Sequence, residues 1–155
     1  MAQLKQTIPG GYQTARDYML YYRYANGVLM IATNQAPNGV RFEGTDGWIF
    51  VDRGQIKASK QELLDTLLPG DAVRLYKSDN HIGNFVESMR TRKDPICDAE
   101  IGHRSISIAH IGVISMRLGR PLKWDPAKEE FVGDKEANKW ISREMRKPYD
   151  YSFVA

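Results

Sequence analysis

The chain has 155 residues, 42% of them hydrophobic, which fits one domain able to bury a core without disulfides. Its 22 basic and 19 acidic residues leave a net charge of +3, too small and too scattered to form a nucleic-acid surface. A single cysteine, Cys97, cannot form an internal disulfide, which favours a reducing compartment, so we expect a cytoplasmic protein. Without an apolar run of roughly twenty residues or a signal-peptide pattern, we expect no membrane partner.

Antiparallel strands are predicted over the first third of the chain. Large side chains alternate from Tyr18 to Tyr24 and then meet Asn26-Gly27, a dipeptide typical of short hairpins. Further strands are predicted at residues 28–33, 39–43, 48–51 and 55–57, which together form an antiparallel meander. Both faces of these strands carry large apolar groups, whereas a sheet with one face in water alternates more clearly. Helices of this chain or a partner are therefore expected to cover the second face.

Helices are predicted to follow the strands. Ser59 and Glu62 have the Ser-x-x-Glu spacing of a capping box, which predicts a short helix through residue 67. A second helix, capped by Ser78 or Asp79 and running to about residue 92, has apolar residues at helical spacing. The overall prediction is an α+β fold with a largely antiparallel open sheet packed on helices.

The longest helix is predicted at residues 99–118, between an Asp98 cap and Gly119, which fits a left-handed helix end. Its apolar residues point nearly all round, which is typical of a buried central helix. A last helix is predicted at residues 135–145 behind an Asp134 cap.

The common catalytic motifs are absent from the sequence. It contains neither Gly-x-Gly-x-x-Gly nor Gly-x-x-x-x-Gly-Lys-Ser/Thr, the glycine-rich turns that hold nucleotide phosphates. Gly-x-Ser-x-Gly, Cys-x-x-Cys and His-Glu-x-x-His are absent too, so acyl transfer and zinc chemistry have no support. We therefore assign no catalytic, cofactor-binding or metal-binding residue, and expect that the chain alone is not a complete enzyme.

The three histidines are the remaining candidates for chemistry. His81 lies in the first turn of its helix, where either a surface or capping position or a binding role is open. His103 lies one turn inside the long helix, near amides that can hold an anion. His110 lies on an apolar stretch and is predicted to pack in the core.

A ligand pocket is predicted near the N-terminal ends of the two central helices. Histidine and arginine donors there suit a hydroxyl-rich or carboxylated ligand. The alternative is that Arg104 pairs with Glu100 or another carboxylate, while the histidines only cap and pack. The candidate substrate-binding residues are His81, Asn84, His103 and Arg104.

Several segments point to a family through their order and spacing. They are Asn80-His81-Ile82-Gly83-Asn84-Phe85, Arg90-Thr91-Arg92-Lys93-Asp94-Pro95, Glu100-Ile101-Gly102-His103-Arg104-Ser105 and Leu118-Gly119-Arg120-Pro121-Leu122. Together they resemble the C-terminal domain of the glucose-fructose oxidoreductase, inositol dehydrogenase and MocA (Gfo/Idh/MocA) family. The tail, with Trp124-Asp125-Pro126 and Asp134-Lys135-Glu136-Ala137-Asn138, resembles a bacterial branch. The resemblance runs from about residue 18 to residue 151.

The resemblance implies an NAD- or NADP-dependent oxidoreductase that acts on sugars, polyols or related hydroxy compounds. In that family a Rossmann domain precedes an α+β domain with a large open sheet, and this chain covers only the later part of the second domain. The family's Glu-Lys-Pro and Asp-x-x-x-His motifs are absent, and Asp79-Asn80-His81 has the wrong spacing for the latter. We therefore expect this chain alone to bind no cofactor.

The leading hypothesis is that residues 1–155 form a single, partial substrate and oligomerisation domain without a nucleotide-binding domain. It would pair with itself through a sheet face, and with a separate Rossmann half if the enzyme is split. The alternative is a stand-alone, non-catalytic sugar-binding or assembly module. The face expected in the homodimer bears some of Tyr18, Tyr22, Leu29, Ile31 and Trp48.

Overall fold

The computed structural model describes Ala15, residues 17–150 and Ser152. The strands of this part are β1 (Met19–Arg23), β2 (Leu29–Thr33), β3 (Val40–Gly44), β4 (Gly47–Val51), β5 (Ile56–Ala58), β6 (Trp124–Asp125) and β7 (Glu130–Phe131). Its helices are α1 (Glu62–Asp65), α2 (His81–Thr91), α3 (Ala99–Leu118) and α4 (Lys135–Asn138). Antiparallel strands with separate helices confirm the predicted α+β class.

Contacts within the chain group it into two compact units. The first unit comprises Met1–Thr33 and His103–Ala155, and the second comprises Asn34–Gly102. No helix in the described ranges has the length and apolarity needed to cross a membrane.

The first unit begins with the hairpin of β1 and β2, which confirms the turn predicted at Asn26-Gly27. Gly27 adopts a positive φ of 89°, and the Asn26 side chain accepts a hydrogen bond from the Val28 amide at 3.1 Å. Tyr22 lies opposite Met30, and its hydroxyl donates to the Ile108 carbonyl of α3 at 3.0 Å. One face of the hairpin is thereby attached to α3.

The first unit also contains a small core built around an aromatic pair. Phe131 and Ala137 are fully buried beside Ile114, and the Trp124 ring meets Phe131 edge-on with centroids 5.0 Å apart. The Asn138 side chain accepts from the Phe131 amide at 2.7 Å and donates to the Phe131 carbonyl at 3.0 Å. These bonds fasten α4 to the β6–β7 hairpin, an element that the sequence patterns did not predict.

Helix α4 begins as predicted but is much shorter. The Asp134 side chain caps it by accepting from the Ala137 amide at 3.0 Å. It ends at Asn138 instead of residue 145, because the next amides bond three residues back, as with Trp140 to Ala137. This tighter winding does not continue an α-helix.

In the second unit, β3, β4 and β5 form a three-stranded antiparallel sheet. The predicted continuous meander is wrong, because β2 and β3 lie in different sheets. Pro37, which lacks an amide donor, lies between them. Gly39 follows with a positive φ of 152°, and a β-carbon there would lie within 2.7 Å of the Phe50 ring. The connection therefore packs against β4 instead of extending β2.

The capping box predicted at Ser59 is also wrong. The Ser59 hydroxyl accepts from the Trp48 amide at 3.0 Å, and the Ser59 amide donates to the Trp48 carbonyl at 2.9 Å. Helix α1 instead follows Gln61, whose side chain makes no capping bond. Ser59 therefore bonds to strand β4 and does not cap helix α1.

Helix α2 ends near residue 92 as predicted, but its N-cap is Asn80 and not Ser78 or Asp79. The Asn80 side chain accepts from the Gly83 amide at 2.8 Å. Arg92 closes the helix in the left-handed conformation with a φ of 57°.

Helix α3 has the predicted bounds and the predicted ends. Asp98 accepts from the Ile101 amide at 2.8 Å, and Gly119 adopts a φ of 65°. Its burial was predicted wrongly: Gly112, Ile114 and Met116, the buried residues of α3, all lie in the C-terminal half. Ile106 remains 53% exposed, so an apolar residue on every side did not produce burial on every side.

Candidate functional site

Two of the predicted site residues, His103 and Arg104, converge on one carboxylate in the first unit. His103 Nε2 lies 2.7 Å from Glu129 Oε1, and Arg104 Nη1 lies 2.9 Å from the same oxygen. Arg104 Nη1 also donates to the Pro126 carbonyl at 2.8 Å. These contacts tie α3 to the turn between β6 and β7.

The position of Glu129 follows from the local structure of that turn. Asp125 Oδ1 accepts from the Ala127 amide at 2.9 Å and from the Lys128 amide at 3.2 Å, the pattern of an Asx turn. Glu129 then adopts a positive φ of 54°, which reverses the chain before β7. The hairpin thereby turns its carboxylate toward α3.

The electrostatics of this cluster favour the ionised carboxylate. The hydrogen bond from His103, followed by the positive charge of the nearby Arg104, lowers the pKa of Glu129 below its usual value. Glu129 is therefore a charged acceptor at neutral pH.

His103 and Glu129 of this cluster line one end of a groove of about 570 Å³ within the first unit. One wall is helix α3, from His103 to Arg117. The facing wall is formed by Trp124, Glu129 and the segment at residues 140–143. The groove therefore combines aromatic and aliphatic walls with a few polar groups, the composition typical of small-molecule sites.

Several polar groups of the groove come from successive turns of α3. Ser107 lies one turn after His103 and donates its hydroxyl to the His103 carbonyl at 2.8 Å. His110 is exposed and lines the groove, so its predicted core position is wrong. Near the end of the helix, the Arg117 guanidinium lies 5.0 Å from the centre of the Trp140 ring. This stacking holds both side chains at the groove wall.

The other two predicted residues, His81 and Asn84, belong to the second unit. Asn84 Nδ2 donates to the Tyr76 hydroxyl at 2.8 Å, and Asn84 Oδ1 accepts from the Ile96 amide at 2.9 Å. These bonds connect α2 to the segments on either side of it. His81 is the exposed first residue of α2.

Sequence reasoning missed Glu129, Trp124, Trp140 and Arg117 as groove residues. Glu129 is 26 positions beyond His103, a separation at which no periodicity links two side chains. The one local signal was the Asp125-Pro126 pair between Trp124 and Phe131, because aromatic residues flanking such a pair can mark a hairpin.

The described residues do not fit a bound dinucleotide. Their sheets contain antiparallel pairs, whereas the dinucleotide fold requires parallel strands with a glycine turn before a helix. Nor do three His, Cys, Asp or Glu side chains of the described part gather closely enough to hold a metal ion.

Comparison with known proteins gives one result. A family profile described as "Oxidoreductase family, C-terminal alpha/beta domain" matches residues 11–151. Neither a curated protein nor a solved structure matches the chain with significance. The matched residues include the β1–β2 and β6–β7 hairpins, helices α1 to α4 and the groove.

Proposed function

We propose that this chain supplies the substrate side of an NAD(P)-dependent enzyme, because it belongs to the Gfo/Idh/MocA oxidoreductase family as its C-terminal domain. The proposed substrates are sugars, polyols or related hydroxy compounds. The observation that supports this role is the convergence of His103 and Arg104 on Glu129 at a groove. Residues 1–155 would act as one partial substrate domain.

The groove suits such a substrate in size and in chemistry. Its volume of about 570 Å³ lies within the range of small-molecule sites. The ionised Glu129 carboxylate accepts hydrogen bonds from hydroxyl groups, and the His103 imidazole offers a second polar contact. The indole of Trp124 provides a flat apolar wall for the C–H face of a sugar ring.

The cofactor, NAD or NADP, is proposed to belong to a separate nucleotide-binding half. That assignment follows from the antiparallel strands, which do not suit a dinucleotide, together with the missing glycine turn. We propose the cytoplasm as the compartment, where reducing conditions preserve an exposed free thiol such as Cys97.

The test uses the enzyme assembled with a nucleotide-binding half. It compares the KM and kcat of two variants, His103→Gln and His81→Gln. We expect His103→Gln to raise the KM for the hydroxy substrate about tenfold, because a hydrogen bond between the imidazole and the substrate is lost. Thermal unfolding of each variant separates loss of contact from loss of fold. Unchanged KM and kcat in His103→Gln would refute the substrate role of this groove.

The second candidate function is a stand-alone, non-catalytic sugar-binding module. The antiparallel strands, which do not suit a dinucleotide, favour this binding module as well. One experiment separates the two functions, namely hydride transfer after co-expression with a nucleotide-binding half. A substrate domain supports hydride transfer in that assembly, whereas a binding module does not.

A further inference from the structure

The groove carries more positive charge than its own carboxylate neutralises. Among the described residues that line it, Glu129 is the acidic one, and it already contacts His103 and Arg104. Arg117 and Arg143 line the same groove. Neither arginine lies within ion-pair distance of a carboxylate in the described part of the chain. Two guanidinium charges therefore remain for a bound group.

Arg117 is already held in position to meet such a group. Its guanidinium stacks over the Trp140 ring at 5.0 Å, which fixes one face of the plane. The N–H donors of a guanidinium lie in its plane, so stacking leaves them directed to the sides. Bidentate recognition of an anion uses those in-plane donors.

We propose that this groove binds a hydroxylated compound carrying one anionic group, with Arg117 and Arg143 holding the anion. His103 and Glu129 lie at the far end of the same α3 wall, about 21 Å along the helix from Arg117, so they meet hydroxyl groups of a ligand longer than one sugar ring. Trp124 and Trp140 contact the apolar part of the ligand. The proposal rests on the proposed substrate role of the groove and adds a charge requirement to it.

Tryptophan fluorescence of the full chain provides the measurement. The chain has three tryptophans, and Trp48→Phe leaves Trp124 and Trp140, both in the groove. The probes are glucuronate, glucose 6-phosphate and glucose, which share a ring and differ in the group at one carbon. We expect saturable quenching by at least one anionic probe, with a Kd about tenfold below that for glucose. The stronger of the two anions identifies the anionic group as carboxylate or phosphate.

Arginine variants test whether the two guanidinium groups cause the preference. Arg117→Gln and Arg143→Gln should each raise the Kd for the preferred anion about tenfold and leave the Kd for glucose unchanged. Arg143→Gln leaves the Arg117–Trp140 stack intact, so it reports on the loss of the Arg143 guanidinium and not on the loss of stacking. Arg74→Gln, an exposed position in the second unit, is the matched control and should change neither Kd.

Three results would overturn the proposal: equal affinity for glucose and both anions, no saturable quenching by any probe, or unchanged anion affinity in both groove variants. Equal affinity would remove the charge requirement and leave the substrate role in place. Failure of the substrate role itself is detected separately, by unchanged kinetics of His103→Gln in the assembled enzyme.

Discussion

Individual side chains decide where the helices of this chain begin. At α2, the Asn80 side chain accepts the hydrogen bond from the Gly83 amide, although aspartate, the residue type at position 79, is an equally good N-cap. We predict that Asn80→Ala lowers the free energy of unfolding by about 1 kcal/mol, the usual cost of losing an N-cap. Asp79→Ala is the matched control, since its contact with Lys77 is a largely exposed ion pair. Urea unfolding that finds equal effects for the two variants would contradict this assignment.

A second residue-scale prediction concerns pH. The hydrogen bond from Arg120, then that from the Ala137 amide, lowers the pKa of Asp134 from 3.8 to about 2. A depressed carboxyl pKa contributes stability that is present above about 3.8 and is lost as the pH falls toward about 2. Asp134→Asn keeps a capping oxygen but removes the charge, so the variant should lose less stability than the native chain over this interval.

Thermal unfolding between pH 6 and pH 2 gives the measurement for Asp134. Asp79→Asn, which removes a carboxylate from the exposed pair with Lys77, is the control and should follow the native curve. Parallel curves for the native chain and Asp134→Asn would mean that the contact between Arg120 and Asp134 is not maintained in solution.

At the scale of elements, the attachment of the β1–β2 hairpin to α3 depends on one small residue. A β-carbon at Gly112 would clash with the Tyr22 hydroxyl and would lie 2.6 Å from Leu20 Cδ1. We predict that Gly112→Ala destabilises the fold by about 1–3 kcal/mol through overpacking. Gly102 lies in the same helix with open space around it, so Gly102→Ala should instead stabilise by about 0.5–1 kcal/mol.

Chemical denaturation of the two glycine variants measures both effects. The opposite signs are the informative result, because helix propensity alone would stabilise both variants. Stabilisation by Gly112→Ala would show that the hairpin does not pack closely on α3.

Elements whose signals are local were predicted well, and elements that depend on distant partners were not. Both ends of α3 follow from Asp98 and Gly119, which act on their own backbone neighbours. Ser59 was misassigned because its partner, Trp48, is 11 residues away across a strand pairing. The length of α4 depends on Asn138 binding to β7, which no helical pattern encodes.

The candidate site was predictable to a similar extent. His103 and Arg104 were singled out from the sequence because the start of a long helix is visible there. Glu129 was not, because a tight hairpin 26 residues later brings it to them. The predicted grouping with His81 and Asn84 remains untested, since those residues lie in the other unit.

At the scale of the whole molecule, the free face of the first hairpin favours self-association. Leu29 and Ile31, two of the residues expected in the homodimer face, are exposed, together with Tyr21, which is 61% exposed. Tyr22, predicted for this face, instead bonds to α3, and Trp48 belongs to the second unit. Such a contiguous apolar face typically marks an interface, and we propose that it pairs with a twin subunit.

Light scattering after gel filtration tests the homodimer. We expect a mass near twice 17.7 kDa for the native chain and a monomer for Ile31→Lys, which places a charge in the paired face. Lys57→Ala, in the second unit, should remain dimeric. A native monomer at concentrations on the order of tens of micromolar would refute the interface.

The central claim is that this chain supplies the substrate side of the enzyme and not the cofactor side. Titration calorimetry of the full chain against NAD, NADP and a series of sugars, polyols and sugar acids tests it in one measurement. We predict saturable heat from at least one hydroxy compound and none from either dinucleotide, because the described fold offers no phosphate-binding turn. Saturable micromolar binding of NAD or NADP, with no response to any hydroxy compound, would contradict the claim.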